Sequence, residues 1–117
     1  MKLARIRQLA ERVALRSSHQ YKLGAAIFKQ GKVISTGYNK TNRGVSREYG
    51  HWEGSLHAEL AAIIAARTDL KKASILVARS TGGLARPCAE CMAAIKDAGI
   101  KWVYYTDGKS IDKERVM

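Results

Sequence analysis

The stretches HAE at residues 57–59 and PCAEC at residues 87–91 decide the fold and the chemistry of this chain. Together they supply one imidazole, from His57, and two thiols, from Cys88 and Cys91. A structural zinc site is closed by four protein ligands, whereas a catalytic site offers three and leaves the fourth position to water. Since the chain contains only these 2 cysteines, it cannot build a site from three or four of them. The two stretches therefore predict an open, catalytic Zn²⁺ site.

Glu59 is a carboxylate that such a metal does not need as a ligand. Zinc lowers the pKa of its bound water from about 16 to roughly 7, and a nearby carboxylate can then move protons as a general base. His57 and Glu59 lie about 200° apart on a helical wheel, so both flank one metal only near the start of a helix. The spacing of Cys88 and Cys91 places them on one helix face. We therefore expect two helix N-termini to face each other across the sheet and to form the pocket.

The residues around these motifs alternate between strand and helix patterns. Gln30-Gly31 separates two β-rich runs and predicts a hairpin, and Ser55 is expected to cap the helix that carries the first motif. This order predicts the α/β class, with a mixed sheet of four to five strands and helices on both faces. The predicted helices cover residues 2–17, about 56–67 and 88–98, and the predicted strands cover residues 23–29, 32–37, 74–79 and 102–106.

The last residues, 107–117, predict either a very short fifth strand or a sheet with an open edge. An open edge must be covered or it self-associates. We therefore expect a homo-oligomer.

Length and cysteine usage limit the class of protein. At 117 residues the chain is expected to form one domain, residues 1–117. No run approaches the roughly 18 apolar residues that cross a bilayer, so no membrane partner is expected. Two cysteines in C-x-x-C spacing without a secretory apolar segment fit a reducing compartment. The expected location is cytoplasmic.

The charge is strongly basic, with 21 Lys and Arg against 10 Asp and Glu and a net charge of +11. Such a field attracts polyanions or phosphorylated small molecules. The basic residues are spread along the chain, a distribution that serves solubility as often as nucleic-acid binding. In the long loop from Tyr38 to Ser55, aromatic residues such as Trp52 interleave with basic ones, a pattern typical of base stacking and phosphate contact. Single-stranded nucleic acid is therefore one candidate partner.

The order of the two motifs, H-x-E first and P-C-x-x-C second, resembles the cytidine deaminase superfamily. The resemblance extends from about Leu23 to Thr106 and is greatest to the deoxycytidylate-type branch. It includes GAAI at residues 24–27, GYN at 37–39, HAEL at 57–60, and RPC at 86–88 before Gly99-Ile100. It implies a three-layer α/β/α sandwich, a Zn²⁺ cofactor held by the three ligands named above, and hydrolytic deamination of a cytosine nucleotide such as free deoxycytidylate.

The resemblance also implies roles for side chains around the metal. Hydroxide would attack C4 of cytosine while Glu59 moves protons to N3 and to the departing amine. Asn39 matches the sugar-contacting position, although a turn-forming role at a strand end is the structural alternative. Backbone N–H groups at Cys88 and near Ala58 would orient water and the carbonyl of the base. The remaining candidate substrate contacts are Arg86 for a phosphate, and Tyr38 and Trp52 for stacking, which could instead only fix the loop.

Two other readings of the pattern stay open at this point. A cytosine deaminase acting on single-stranded DNA or RNA shares the chemistry, while adenine in tRNA is disfavoured because the Cys motif lacks the Pro-Cys-x-Met-Cys form common there. A non-catalytic structural-zinc or thiol redox protein would also use C-x-x-C, but it would not require H-x-E.

Overall fold

The computed structural model describes residues 3–18, 21–41 and 55–116, and these residues form three helices and seven strands. The helices are α1 (Leu3–Ala14), α2 (Ala58–Ala66) and α3 (Ala89–Asp97). The strands are β1 (Leu23–Lys29), β2 (Lys32–Tyr38), β3 (Lys40–Thr41), β4 (Ser55–Leu56), β5 (Ser74–Arg79), β6 (Trp102–Asp107) and β7 (Ser110–Arg115). Among the described residues, no helix combines the length and apolarity needed to cross a membrane.

Five of the strands form one mixed sheet in the order β2-β1-β5-β6-β7. The pair β5 and β6, which α3 connects, is parallel, and the other pairs are antiparallel. A separate two-stranded ladder joins β3 to β4. The α/β class and the mixed sheet that the sequence predicts are confirmed.

The β1–β2 hairpin turns at Gln30-Gly31, as the sequence predicts. Both residues have positive φ angles, 53° and 78°, which is the conformation of a two-residue turn that matches the twist of the strands. Glycine adopts this conformation without strain, and Lys29 pairs directly with Lys32 across the turn.

Alternating residues of the central strands bury the two faces of the sheet under different helices. One apolar cluster joins α1 to β1 and β5, and the other joins α2 and α3 to the opposite side of the same strands. The structure is therefore three-layered, with α1 on one face and α2 with α3 on the other. The α1 cluster includes Ile6, Ala10, Ala26, Phe28, Leu76 and Ala78, and the opposite cluster includes Ala25, Ile27, Ala58, Ala62, Ile75, Val77 and Ile95.

The fifth strand differs from the prediction of a very short strand or an open edge beside β6. β7 is six residues long and pairs with β6 from Trp102↔Arg115 to Asp107↔Ser110. Its sequence, SIDKER, lacks the apolar alternation that signals a strand, and Ile111 is its one apolar residue. The chain reverses at Gly108, where φ is 65°, and pairing with β6 then holds these residues extended. Its charged side chains are typical of an edge strand that avoids further pairing.

Gly37 allows α2 to lie directly on β2. A Cβ atom at this position would lie 2.4 Å from the backbone N of Ala62 and 2.6 Å from the backbone O of Ala58. Both neighbours are helix backbone and cannot move aside as a flexible side chain would. The close approach fixes the height of the first turn of α2 above the sheet.

We expect Gly37→Ala to lower the free energy of unfolding by about 1 to 3 kcal/mol or more, because the added methyl group forces α2 and β2 apart. Urea denaturation measures the effect. Gly83→Ala is the control, since its methyl would meet mainly the Arg79 side chain, at 3.3 Å. A Gly37→Ala protein as stable as wild type would show that α2 can move off β2 without cost.

Candidate metal centre

The predicted metal ligands lie at the N-termini of α2 and α3. His57 is the N-cap of α2 and Cys88 is the N-cap of α3, both with extended backbone. Cys91 lies in the first turn of α3. The prediction that Ser55 caps the helix is wrong, because Ser55 belongs to β4 and pairs with Thr41. This ladder keeps the chain extended through β4, so the helix begins only at Ala58.

The two helix N-termini meet on one face of the sheet. The sequence predicted that they face each other across the sheet. This prediction is wrong. Both helices pack on the same side of β1 and β5. Between them a small cluster joins Leu56, Leu60 and Ala61 to Cys91. Because α2 and α3 contact each other on this face, their first turns lie side by side.

The three ligand atoms converge on one point. The Nδ1 atom of His57 is 3.2 Å from the Sγ of Cys91 and 4.0 Å from the Sγ of Cys88, and all three atoms lie within 4.8 Å of one another. Tetrahedral zinc with ordinary Zn–N and Zn–S bonds separates its ligands by about 3.6 to 3.8 Å. The observed separations bracket that range. Cys91 is buried and Cys88 is exposed, so the site opens to solvent beside Cys88.

The electrostatics of the cluster favour a cation. Burial raises the pKa of the Cys91 thiol, and the neighbouring Glu59 carboxylate and the Cys88 sulfur raise it further. A bound divalent metal reverses this balance, since a coordinating thiol is deprotonated outright. One imidazole and two thiolates are a donor set that zinc accepts, with a fourth position left open. The residues present therefore fit Zn²⁺.

Glu59 is a buried carboxylate next to this cluster. It is 3% exposed and lies in the first turn of α2. Burial raises its pKa, while hydrogen bonds with its own backbone N–H and with the Cys91 side chain oppose the rise. Its Oε1 atom has no hydrogen-bond partner among residues 3–18, 21–41 and 55–116. A buried oxygen without a partner is costly, and a group that binds in the site could engage it.

Asn39 is buried, and its amide holds the chain ahead of β1. Its Oδ1 accepts a hydrogen bond from the backbone N–H of Leu23 at 2.9 Å, and its Nδ2 donates to the backbone O of Tyr21 at 2.7 Å. These bonds give Asn39 a structural role, while the turn-forming role that the sequence left as the alternative stays a prediction. Contact with a sugar stays a prediction. Tyr38 is half-buried at the end of β2, with the Lys40 ammonium 5.3 Å from its ring centroid.

Ala58 and Trp52 complete the predicted substrate contacts. Ala58 is the first residue of α2 and is fully buried. Trp52 lies outside the described residues, as does most of the loop that carries it. Their contacts with substrate stay predictions.

Arg86 is held by a carboxylate on the edge strand. Its Nε and Nη2 donate to the two oxygens of Glu114, at 2.5 and 3.0 Å, and the hydroxyl of Tyr105 donates to the same carboxylate at 2.8 Å. Bidentate pairs of this kind fix an arginine in orientation. The predicted contact of Arg86 with a phosphate is untested, and in the structure its guanidinium is engaged by Glu114.

The Glu114 carboxylate makes the stability of the fold depend on pH in the acidic range. The hydrogen bond from Arg86, then that from Tyr105, lowers its pKa from 4.5 to about 2. A depressed pKa contributes stability at pH values above the unfolded pKa, and this contribution is lost as pH falls through the folded pKa. We expect Glu114→Gln to be less stable than wild type at neutral pH, with a small gap that closes between pH 4.5 and 2. Thermal melts across pH measure it, and a gap that persists at pH 2 would contradict the assignment.

Two charged residues, Glu114 and Arg79, were not singled out from the sequence. Glu114 gave no local signal, since its partner Arg86 lies 28 positions away. Arg79 ends the mainly apolar strand SILVAR, and a charge in that position is a signal that could have identified it.

Comparison with known proteins agrees with the geometry of the centre. Residues 2–107 match the family model described as the cytidine and deoxycytidylate deaminase zinc-binding region. The chain belongs to this family. The family description names zinc, and the converging atoms of His57, Cys88 and Cys91 support it. The superfamily assignment and the zinc cofactor that the sequence predicts are confirmed.

The individual proteins that this chain resembles share only part of its sequence. A protein of Aliivibrio fischeri, described as an uncharacterised deaminase in the luxG 3′ region, is 36% identical over 89 residues, which cover 70% of this chain and 56% of that protein. The chain thus spans little more than half of that relative. The dCMP deaminase of cyanophage S-TIM5 in its apo form has a TM-score of 0.70 and 25% identity, over 92% of this chain and 83% of its own.

Two further solved structures extend the comparison. The same phage enzyme in complex with dCMP and dUMP has a TM-score of 0.68 and 26% identity, over 89% of this chain and 79% of its own. Cytidine deaminase from Burkholderia pseudomallei has a TM-score of 0.77 and 22% identity, over 99% of this chain and 94% of its own. At that identity the likeness concerns the fold.

Proposed function

We propose that this protein is a zinc-dependent hydrolytic deaminase that converts a free cytosine nucleotide, deoxycytidylate or a close analogue, to the uracil form and releases ammonia. The observation that carries the proposal is the convergence of the His57, Cys88 and Cys91 ligand atoms within 4.8 Å, beside a buried carboxylate with one unpartnered oxygen, Glu59. Three ligands leave a position for water, and a structural site would close it.

Each residue has a defined task in this chemistry. His57, Cys88 and Cys91 hold the metal. When bound, zinc supplies a water acidic enough to act as a nucleophile at neutral pH. Glu59 would take a proton from the attacking water and deliver protons to N3 and to the departing amine of the cytosine ring. Water adds at C4 and ammonia leaves, so that cytosine and water yield uracil and ammonia.

The position and environment of Glu59 support its role as a proton carrier. Burial raises the pKa of its carboxyl, because a low-dielectric environment favours the neutral, protonated form that the group reaches when it accepts a proton. The first turn of α2 places it on the same side of the sheet as the ligands. Its Oε1 makes no hydrogen bond within the described part of the chain, so this oxygen can receive a proton without first breaking another bond.

Support for a free nucleotide as substrate comes from the solved structure of a relative in complex with dCMP and dUMP. The competing substrate is single-stranded DNA or RNA, for which the net charge of +11 is the supporting observation. Binding to a polynucleotide weakens steeply with salt because counterions are released along the strand. A mononucleotide with one phosphate loses much less affinity.

Mass spectrometry of a substrate panel tests the proposal. The panel contains cytidine, deoxycytidine, their mono- and triphosphates, and short single-stranded DNA and RNA that contain cytosine, each at low and high salt. We expect a gain of uracil in a mononucleotide, with release of one ammonia. Turnover of the oligomers without turnover of any mononucleotide would overturn the substrate assignment. Zinc-loaded protein that deaminates nothing in the panel would overturn the proposed reaction.

Three broader features stay predictions: a single domain over residues 1–117, a cytoplasmic location and a homo-oligomer. Analytical ultracentrifugation of the purified protein measures the last of these.

A further inference from the structure

Arg79 lies on the same face of the sheet as the metal centre. Side chains alternate along β5, and Ile75 and Val77 pack in the cluster that contains α2 and α3, while Leu76 and Ala78 pack against α1. Because successive strand residues point to opposite faces, Arg79, two positions after Val77, faces the side that carries α2 and α3.

Arg79 also lies at the same end of the sheet as the metal ligands. It is the last residue of β5 and the chain from it leads over residues 80–87 to Cys88 at the start of α3. Across the antiparallel pair it lies opposite Leu23, and the backbone N–H of Leu23 is bonded to the side chain of Asn39. Asn39 follows β2, whose end is joined through the β3–β4 ladder to His57. The N-termini of α2 and α3, Asn39 and Arg79 thus share one end of one face.

The guanidinium of Arg79 is fixed by its surroundings. Its Cζ lies 5.2 Å from the ring centroid of Tyr21, within the range of a cation–π contact. Its Cδ and Nη1 also lie so close to Gly83 that a Cβ there would be 3.3 Å from each. Tyr21 itself is 61% exposed and Arg79 is half-buried, so part of the stacked pair is accessible from solvent. A side chain held in this way loses little freedom when it binds a ligand.

One donor of this guanidinium lacks a partner. The Nε of Arg79 is buried and makes no hydrogen bond to residues 3–18, 21–41 or 55–116. A buried donor without an acceptor is costly, and arginine offers its N–H groups in a planar fork that suits phosphate oxygens. Arg86, two positions before Cys88, differs because Glu114 already accepts from two of its donors.

We propose that Arg79, stacked on Tyr21, binds the phosphate of the substrate and makes the enzyme select a nucleotide over a nucleoside. This inference rests on the proposed function, since it assumes a cytosine nucleotide as substrate. The phosphate of a bound nucleotide accepts hydrogen bonds from the guanidinium, and the overall charge of +11 favours the approach of the anion. Arg79 is a specificity residue and takes no part in proton transfer.

Binding of the uracil products to zinc-loaded protein tests the assignment independently of turnover. Isothermal titration calorimetry compares deoxyuridylate with deoxyuridine, which differ only in the phosphate. We expect wild type to bind deoxyuridylate more tightly than deoxyuridine. Arg79→Gln should bind deoxyuridylate about 10- to 100-fold more weakly, as expected for loss of charged hydrogen bonds, and should bind deoxyuridine as wild type does. Unchanged binding of deoxyuridine also shows that the variant is folded.

Arg67→Gln is the matched control, since Arg67 is exposed and lies at the far end of α2 from the ligands. It removes the same charge and should leave the phosphate preference unchanged. Equal loss of preference in both variants would indicate a general charge effect and would overturn the proposal. So would an Arg79→Gln protein that keeps its preference, or an Arg86→Gln protein that loses it while Arg79→Gln does not. Wild type that does not bind deoxyuridylate would overturn the assignment of Arg79 alone, because the substrate panel tests the proposed function through turnover.

Discussion

Replacement of Glu59 by glutamine is expected to lower kcat/KM by about 10²- to 10⁴-fold, the range over which a positioned acid or base accelerates proton transfer. Glutamine keeps the size and shape of the side chain, but its amide cannot accept a proton from water or return one to the base. We expect the variant to keep one equivalent of zinc, because Glu59 is not among the three residues whose ligand atoms converge. An ammonia-release assay measures the rate, and elemental analysis measures the metal.

Glu90→Gln is the matched control for this variant. Glu90 occupies the same position in α3, two residues after its N-cap, as Glu59 occupies in α2, but Glu90 is exposed and Glu59 is buried. Both variants remove one negative charge from a helix N-terminus and therefore weaken the interaction with the helix dipole to a similar degree. Glu90→Gln should keep its activity within a few-fold of wild type. Loss of zinc from Glu59→Gln would instead identify Glu59 as a ligand.

The sequence predicted the elements whose patterns are local. The hairpin at Gln30-Gly31 follows from a turn that requires positive φ. The end of the predicted helix 88–98 follows in the same way, because Gly99 comes directly after it and adopts a φ of +86°. The three predicted metal ligands lie within two short motifs at helix starts, and the residue types, the order of the motifs and the family resemblance together predicted that they converge.

The features that the sequence did not predict depend on residues distant in the chain. β7 forms because β6 offers a free edge, and its own residues carry almost no strand pattern. The start of α2 shifted from the predicted position because the pairing of Thr41 with Ser55 competes with helix formation. The partner of Arg86 is a glutamate on the last strand. Periodicity within one segment cannot report such pairings, because they depend on tertiary contacts.

Replacement of Cys91 by alanine is expected to abolish stoichiometric zinc binding and, with it, activity. Two of the three ligand atoms remain, and the lost one is the buried sulfur that lies 3.2 Å from His57 Nδ1. A ligand that binds only the folded state, present at 100 times its dissociation constant, stabilises by about 2.7 kcal/mol. For a chain of this size that amounts to roughly 10 °C in Tm. Zinc should raise the Tm of wild type by about that much and leave the Tm of Cys91→Ala unchanged.

Ile95→Val separates the loss of metal from the loss of packing. Ile95 is fully buried on α3, one turn after Cys91, and the substitution removes one methylene at a cost of about 0.5 to 1.5 kcal/mol. This variant should melt earlier than wild type but keep its zinc and the rise in Tm on zinc addition. A Cys91→Ala protein that retains a full equivalent of zinc would show that the ligands are other residues.

The two substitutions together distinguish the ligand from the proton carrier. Cys91→Ala should lose the metal and the activity together, so that added zinc restores neither. Glu59→Gln should lose the activity alone and keep a zinc-dependent Tm equal to that of wild type. A structural zinc site would show the first pattern in stability but would have no activity for Glu59 to support. Only an open metal site with a separate acid produces both patterns, because the two tasks then belong to different side chains.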